Sequence, residues 1–382
     1  MKQDQFTFAE FFSGGGLVRS GLGEGWVARF ANDIDPKKCR AYRQNFGDEC
    51  LFEGDIADVS VDFLNQDIDL YWASSPCQDF SLAGHRRGLN GQRSSAFFPW
   101  ISLVKQAVTL GFGPKIIAFE NVSGLISSNS GADFRAVIAS FQDLGYRVGA
   151  LEIDAKLFLP QSRQRMFVVA VRSDIDLGHA PIGRSPKLPF HSDRLVNFTK
   201  TLSQKEIENW IWWDIDAGLQ PKVALADCLE KDVSEGWLPK QEVARYFSMM
   251  SPLHQQRIRD IQAQGQSVVG TIYKRGRADE TGQIRQRVEV RFDGLAGCLR
   301  TPGGGSSRQT VAFVTPKETR MRLLTAREAA RLMGIHDSYV LPNAYNEAYK
   351  ISGDGVAVPV VRYLAASIFE PVLCAPKVIL AA

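Results

Sequence analysis

Paired cysteines and histidines are missing from this sequence. Its six cysteines, Cys39, Cys50, Cys77, Cys228, Cys298 and Cys374, are scattered, with no C-x-x-C pair. In a chain of 382 residues that argues against a disulfide framework and excludes the common zinc sites. None of the five histidines sits at metal-ligand spacing from another, so no metal is expected. No apolar run suggests a bilayer span and no basic-then-apolar leader is visible, so the expectation is a cytoplasmic protein without a membrane partner. A formal net charge of only +3 excludes a strong global field toward polyanions. Internal repeats and low-complexity tracts are absent, and so is the spacing G-x-G-x-x-G, which excludes the dinucleotide-binding fingerprint.

What remains is an ordinary globular composition, 45% hydrophobic and 23% charged, in a chain longer than one core usually serves. One large and one smaller domain are therefore expected. Apolar strand-like runs at 6–12, 26–33, 68–75, 115–121 and 165–171 alternate with helical patterns at 36–46 and 132–145. This rhythm predicts βαβ units and a mostly parallel sheet covered on both faces. From about residue 175 to 316 the rhythm breaks into short, antiparallel-looking strands such as GTIYKRGR and RQRVEVRF. Helix grammar then returns at LTAREAARLMG, where Thr325 and Glu328 make a capping box and Gly334 a stop. The expected organisation is 1–174 and 317–382 forming one α/β domain, with 175–316 inserted. Within the insert, Lys274 to Arg308 holds eight basic residues, seven of them arginine, against four acidic ones. A solvated surface accounts for such a stretch, and contact with phosphates or base edges accounts for it as well.

In a parallel sheet, ligands bind beyond the carboxyl ends of the strands, and the polar motifs lie there. FFSGGG is a strand followed by a glycine bend into a helix, either a structural turn or a place where a ligand approaches the backbone. Asp33, at the next strand end in ANDID, suits the two hydroxyls of a ribose, and Asp55 in EGDI suits an adenine amino group. Together they read as a nucleoside-bearing cofactor. Pro76 cannot continue a sheet ladder, so Cys77 in SSPCQDFS is expected on a rim loop, as a packing thiol or a nucleophile. The following GHRRGLNGQR has the composition of a closing lid. Glu120 ends the strand in FEN, paired structurally or presented to a ligand. Arg163 and Arg165 in PQSRQR are expected to alternate on one strand face, where they would hold Glu120 or a substrate.

In order, FFSGGG, NDID, GDI, SSPCQDFS, FENV, PQSRQR, RLLTAREAARLMGIHD and SGDGVAVP resemble the cytosine-C5 DNA methyltransferases, over residues 6–172 and 317–370. The resemblance implies a Rossmann-like S-adenosyl-L-methionine-dependent methyltransferase sheet with a smaller inserted target-recognition domain. It implies double-stranded DNA as partner and a bacterial or phage setting in restriction–modification, with a possible cognate endonuclease. The cofactor would lie against Phe12, Ser13, Gly14, Gly16, Asp33, Ile34, Asp55, Ile56 and Pro76. Cys77 would be the nucleophile, Glu120 would hold cytosine N3, and Arg163 and Arg165 would support the flipped base.

The chain departs from the family pattern at several positions. Leu17 ends the glycine run, Asp354 replaces the usual asparagine of the last motif, Gly91 stands two residues before Arg93, and Cys298-Leu299 replaces Thr-Leu. A carboxylate at 354 would repel the cofactor's own carboxylate unless it points elsewhere. Three other readings are weaker. The insert is too long and arginine-rich for the family's tRNA-modifying branch, intact Cys77 and Glu120 oppose a catalytically silent DNA binder, and the missing phosphate fingerprint opposes an oxidoreductase.

Overall fold

The computed structural model describes residues 5–76, 96–178, 180–216, 223–278, 282–301 and 308–374. Contacts divide the chain into two units: Met1–Asp154 with Gln164–Leu219 and Val356–Ala382, and Ala155–Arg163 with Gln220–Gly355.

The first unit is built on nine strands: β1 (Phe6–Phe11), β2 (Trp26–Asp33), β3 (Leu51–Glu53), β4 (Leu70–Ala73), β5 (Ile116–Val122), β6 (Tyr146–Asp154), β7 (Gln164–Arg172), β8 (Ile182–Gly183) and β9 (Trp210–Trp213). Their order is β3-β2-β1-β4-β5-β7-β6-β9-β8. β1 to β5 pair in parallel, whereas β7 runs antiparallel to both β5 and β6. The fold is α/β and Rossmann-like. Both faces are covered, so the central strands are continuously apolar rather than alternating. On one face Phe11, Tyr71, Trp100, Phe119 and Phe141 form an aromatic cluster, with Trp100 and Phe119 stacked at 5.9 Å. On the other, Trp72 meets Phe167 and Phe369 edge-on at 6.2 Å each.

The return of the C-terminus to this sheet has a visible cause. Gly21 lies in helix α1 (Leu17–Leu22), and a Cβ there would fall 2.5 Å from Cβ of Val361. Only glycine lets the helix Val358–Leu364 seat so closely, and Arg362 adds a 2.7 Å bond to the carbonyl of Leu22. Residues 345–373 together hold an apolar window of mean hydropathy 1.6, long enough to meet the length criterion for a bilayer span. That corrects the sequence expectation of no such run. The window is 56% buried, and Leu364, Ile368 and Phe369 belong to the protein core.

The second unit carries an antiparallel sheet of β10 (Val268–Ala278), β11 (Ile284–Arg291), β12 (Thr310–Val314) and β13 (Thr319–Leu323), ordered β11-β10-β12-β13. Helices Lys240–Ser248 and Pro252–Ala263 contribute Tyr246 and Ile258 to a core with Ile272, Val288, Val290, Val314 and Met321. A bidentate pair between Arg322 and Glu328, at 2.6 and 2.7 Å, is almost wholly excluded from water. Glu328 also closes the capping box at Thr325 and accepts from the amide of Glu230 at 2.9 Å, so its carboxylate is satisfied, while Arg322 Nε is buried without a hydrogen-bond partner among the described residues.

These boundaries differ from the sequence expectation of an insert at 175–316. Residues 180–216 stay with the first unit because β9 pairs with β6 and extends the large sheet. Residues 317–355 stay with the second because β13 completes its sheet. Residues 155–163 join it through hydrogen bonds of Ser162 and Pro160 to Ala296.

Candidate functional site

The glycine turn begins with an unusual backbone. Phe12 takes φ 58°, left-handed for a residue with a side chain, and Gly14 (57°) and Gly16 (76°) follow in the same region. Such a conformation at Phe12 costs about 1–3 kcal/mol and is held by its surroundings. The turn is tied to β2: the amide of Ser13 donates to the carbonyl of Asn32 at 2.8 Å, and that of Gly14 to Asp33 Oδ2 at 2.8 Å. At Gly16 a side chain would strike the Phe46 ring at 2.5 Å, whereas a Cβ at Gly14 would meet only Lys38, at 4.0 Å. The hydroxyl of Ser13 is buried and lacks a hydrogen-bond partner among the described residues. This is a cradle with an unused donor in its floor.

Asp33 is 6% exposed. Its oxygens accept from the amides of Gly14 and Asp35, both at 2.8 Å. A carboxylate has about four lone-pair directions, so two acceptor positions remain beyond those bonds for a vicinal diol. Ile34 beside it is 63% exposed, an apolar surface at a strand end. Asp55 is exposed and caps the turn Ile56–Asp58 through the amide of Ala57 at 2.9 Å, while the Ile56 side chain packs into the core. The link between the two strand ends was not legible in the acids themselves. It is Asn32, whose amide donates to the carbonyls of Phe52 (3.2 Å) and Gly54 (2.9 Å) and fixes the approach to Asp55.

Beneath the turn, Glu10 of β1 is 2% exposed. Burial raises its carboxyl to about 8, against smaller opposing pulls from the amides of Val18 and Arg19 and from the Arg19 guanidinium. It is therefore held in its neutral form near neutral pH. In the sequence FTFAEFF reads as a buried strand, without its one acid being singled out.

The β4 strand leaves the sheet at Ser74. Ser75 is buried and Pro76 exposed. Cys77 lies outside the described residues, as do the arginines of GHRRGLNGQR. What positions the exit is Asn121 of β5, whose amide group donates to Ser75 Oγ at 3.2 Å while its carbonyl oxygen accepts from the amide of Val122 at 2.8 Å. One residue earlier, Glu120 is 7% exposed. Arg165 opposes Val122 across the β5–β7 ladder, so its side chain reaches diagonally to Glu120, with Nε 3.2 Å from Oε1. Of the two uses open to Arg165 in the sequence, holding Glu120 or a substrate, the first is made here.

Arg163 does not share that face, which corrects the alternation expected from PQSRQR. β7 starts at Gln164, so Arg163 precedes the strand. It is 3% exposed and donates to the carbonyls of Leu299 (2.9 Å), Gly353 (3.1 Å) and Gly355 (2.7 Å) within the second unit. A guanidinium satisfies several carbonyls at once. Sequence spacing could not separate this use from a ligand contact.

In the second unit, β10 and β11 place Arg275 directly opposite Arg287. Arg275 meets Glu289 at 3.4 Å, and Arg285 and Arg287 are exposed. On the other face Lys274 lies over the ring of Tyr246 at 4.3 Å. Among the described residues no cluster of His, Cys, Asp or Glu is arranged to hold a metal ion.

A family model described as C-5 cytosine-specific DNA methylase matches residues 6–370. The type II methyltransferase M.HhaI of Haemophilus parahaemolyticus is 27% identical over 373 residues, 96% of this chain and 96% of that one. M1.ScrFI of Lactococcus lactis subsp. cremoris is 24% identical over 97% of this chain and 79% of its own length. Among solved structures, the S. pombe Dnmt2 methyltransferase superposes with a TM-score of 0.62 at 19% identity, covering 96% of this chain and 99% of that one; this likeness shows the fold. With a family model spanning nearly the whole sequence, the chain belongs to the C-5 cytosine-specific DNA methylases and is a DNA (cytosine-5)-methyltransferase.

Proposed function

We propose that this protein methylates C5 of a cytosine flipped out of a specific duplex DNA site, using S-adenosylmethionine, through an adduct with Cys77. The observation that carries the reading is the Glu120–Arg165 pair at 3.2 Å on the rim of the sheet, one residue from the amide that pins the strand leading to Cys77.

The donor fits the glycine turn. Ser13 has an unused buried hydroxyl, Gly14 leaves open space, and Ile34 offers an exposed apolar face. Phe12, Gly16, Asp55, Ile56 and Pro76 complete the proposed binding set, with Asp33 accepting from ribose hydroxyls. When bound, S-adenosylmethionine supplies an electrophilic methyl group. The chain's own part is to make cytosine C5 nucleophilic. The Cys77 thiolate forms a bond to C6, and the ring electron pair moves toward C5 as an enamine. Glu120 hydrogen-bonds N3 and eases the charge pushed into the ring, while Arg165 orients Glu120. After methylation the C5 proton goes to a base, the C6–S bond breaks, and aromaticity returns. A stacked base is unreachable, so flipping it out costs roughly a few kcal/mol, offset by contacts to pocket and phosphates. Arg163 acts in this scheme through the second unit, not on the base.

Target recognition falls to the second unit. Arg275 stands opposite Arg287 and pairs with Glu289 at 3.4 Å, and the exposed Arg287 offers its charge to a polyanion. Relatives named as type II methyltransferases support a place in restriction–modification, with a cognate endonuclease as companion.

A duplex carrying 5-fluorocytosine tests the adduct, because the fluorine cannot leave as the proton does. The protein with donor should be trapped covalently, and Cys77→Ser should abolish both trapping and transfer. Transfer without any trapping would sink the thiolate route. Bisulfite sequencing of a genome expressing the protein then gives the target site.

A further inference from the structure

The helix Tyr345–Asp354 makes contacts that the scheme above does not use, and they fall at both ends of one segment. At its C-terminal end, Asp354 Oδ1 accepts from the hydroxyl of Thr301. Gly353 lies so close to the chain at Arg300 that a Cβ would stand 2.7 Å from its carbonyl carbon and oxygen. Arg163 stitches the same crossing by donating to Leu299, Gly353 and Gly355. At the N-terminal end, Asn346 Oδ1 accepts from Arg308 Nη2 at 2.6 Å, and the ring of Tyr345 lies 5.3 Å under that guanidinium. Between them, the hydroxyl of Tyr349 accepts from the amide of Gln309 at 3.2 Å. Positions 346, 349 and 353 share one helical stripe. All of these residues belong to the second unit.

We propose that this helix is a rigid spacer that fixes the positions from which Arg300 and Arg308 meet DNA, and that Asp354 therefore serves DNA binding and not the cofactor. At 1.5 Å per residue the eight steps from Asn346 to Asp354 set the two anchors about 12 Å apart. The main chain is held at Arg300 by Gly353 and at Gln309, next to Arg308, by Tyr349, while Asn346 and Tyr345 orient the Arg308 guanidinium itself. Asp354 Oδ1 is engaged by Thr301, a role that needs an acceptor oxygen and that an asparagine would fill as well. Asp354, Thr301 and Asn346 are thus positioning residues for the DNA contact. The inference rests on the DNA-methylating reading, and the wild-type protein in the same assay tests that reading separately.

The experiment measures steady-state KM for duplex DNA, kcat, and equilibrium binding of S-adenosylmethionine for five variants. Thr301→Val and Asp354→Ala each remove one partner of a charge-assisted bond and should raise KM for DNA about five- to tenfold, with kcat and cofactor affinity within about twofold. Thr301→Ser keeps the hydroxyl and Asp354→Asn keeps an acceptor oxygen, so both should stay near the wild type. The double variant Thr301→Val/Asp354→Ala should be no worse than either single one, the signature of a shared interaction. The inference is overturned if Asp354→Asn tightens or weakens cofactor binding while Thr301→Val changes nothing, or if the two substitutions add fully. A wild-type protein that neither binds nor methylates DNA would instead overturn the reading beneath it.

Discussion

Strand β5 reads IIAFENV and is buried along its length, whereas β11 reads IRQRVEVR and gains a buried face only from Val288 onward. In the first sheet, chemistry is confined to strand ends: Asp33, Glu120 and the glycine turn sit where the strands stop, because both faces are filled with aromatic and aliphatic side chains. In the second, polar groups run along β11 because its first four residues are exposed on both faces, whereas β12 beside the core is buried on both. A sheet covered on two faces tolerates little change except at its rim. A strand that runs out beyond its core can vary its exposed part without disturbing the fold, which suits the recognition role proposed for this unit.

The sharpest way to break this contrast is at the rim of the first sheet. Glu120→Gln should lower kcat by roughly 10²–10⁴-fold, the usual range for a positioned acid–base group, while leaving the thermal midpoint close to the wild type. A large loss of stability with it would make Glu120 a structural anchor. In the second unit the largest effect should come from its interior. Arg322→Met strands the Glu328 carboxylate and should cost about 3–5 kcal/mol by urea denaturation, with the loss confined to the transition that reports the second unit. An unchanged midpoint would show that the charge finds another partner.

Glu10 offers a test through pH. Its carboxyl keeps a proton up to about 8 in the folded protein, against an ordinary value of 4.5. Between those values the native state binds a proton that the unfolded chain has lost, so stability falls as pH rises through this window, by at most about 1.4 kcal/mol per unit. Glu10→Gln should flatten the profile, as urea midpoints at pH 5.5 and 8.5 would reveal. An identical slope in the variant assigns the dependence elsewhere. The smallest effect belongs to the exposed half of β11. Arg287→Ala should reduce the slope of log affinity against log salt by about 1 and weaken all DNA sequences alike. A change of preferred sequence would make Arg287 a base reader.

How much of this was legible in the sequence follows the same division. Apolar runs punctuated by glycine and acid revealed the first sheet, since burial on both faces leaves a continuous hydrophobic signature. Asp33 and Glu120 were singled out as candidates because a charge at the end of such a run stands out. The roles of Asn32 and Asn121, which hold the neighbouring strand ends in place, could not be read, because an amide beside an acid carries no periodic signal and its partners lie on other strands. Arg163 was misplaced for a related reason: a strand boundary one residue away decides which unit receives its guanidinium. The insert's limits were drawn too early because β9 and its tryptophans look like irregular sequence until paired with β6. Asp354 could be flagged as a departure, but its partner Thr301 lies more than fifty positions away and only the fold joins them.

The seating of Val361 against Gly21 ties the last part of the chain to the first, and this carries a consequence for synthesis. Trp26 and Trp72 leave the ribosome long before Phe369, which packs against both. At 5–20 residues per second that leaves one face of the nascent sheet bare for on the order of tens of seconds, while the entire second unit is made in between. The first unit is thus completed last, and a chain halted before residue 361 would carry an uncovered tryptophan surface that invites chaperones or aggregation.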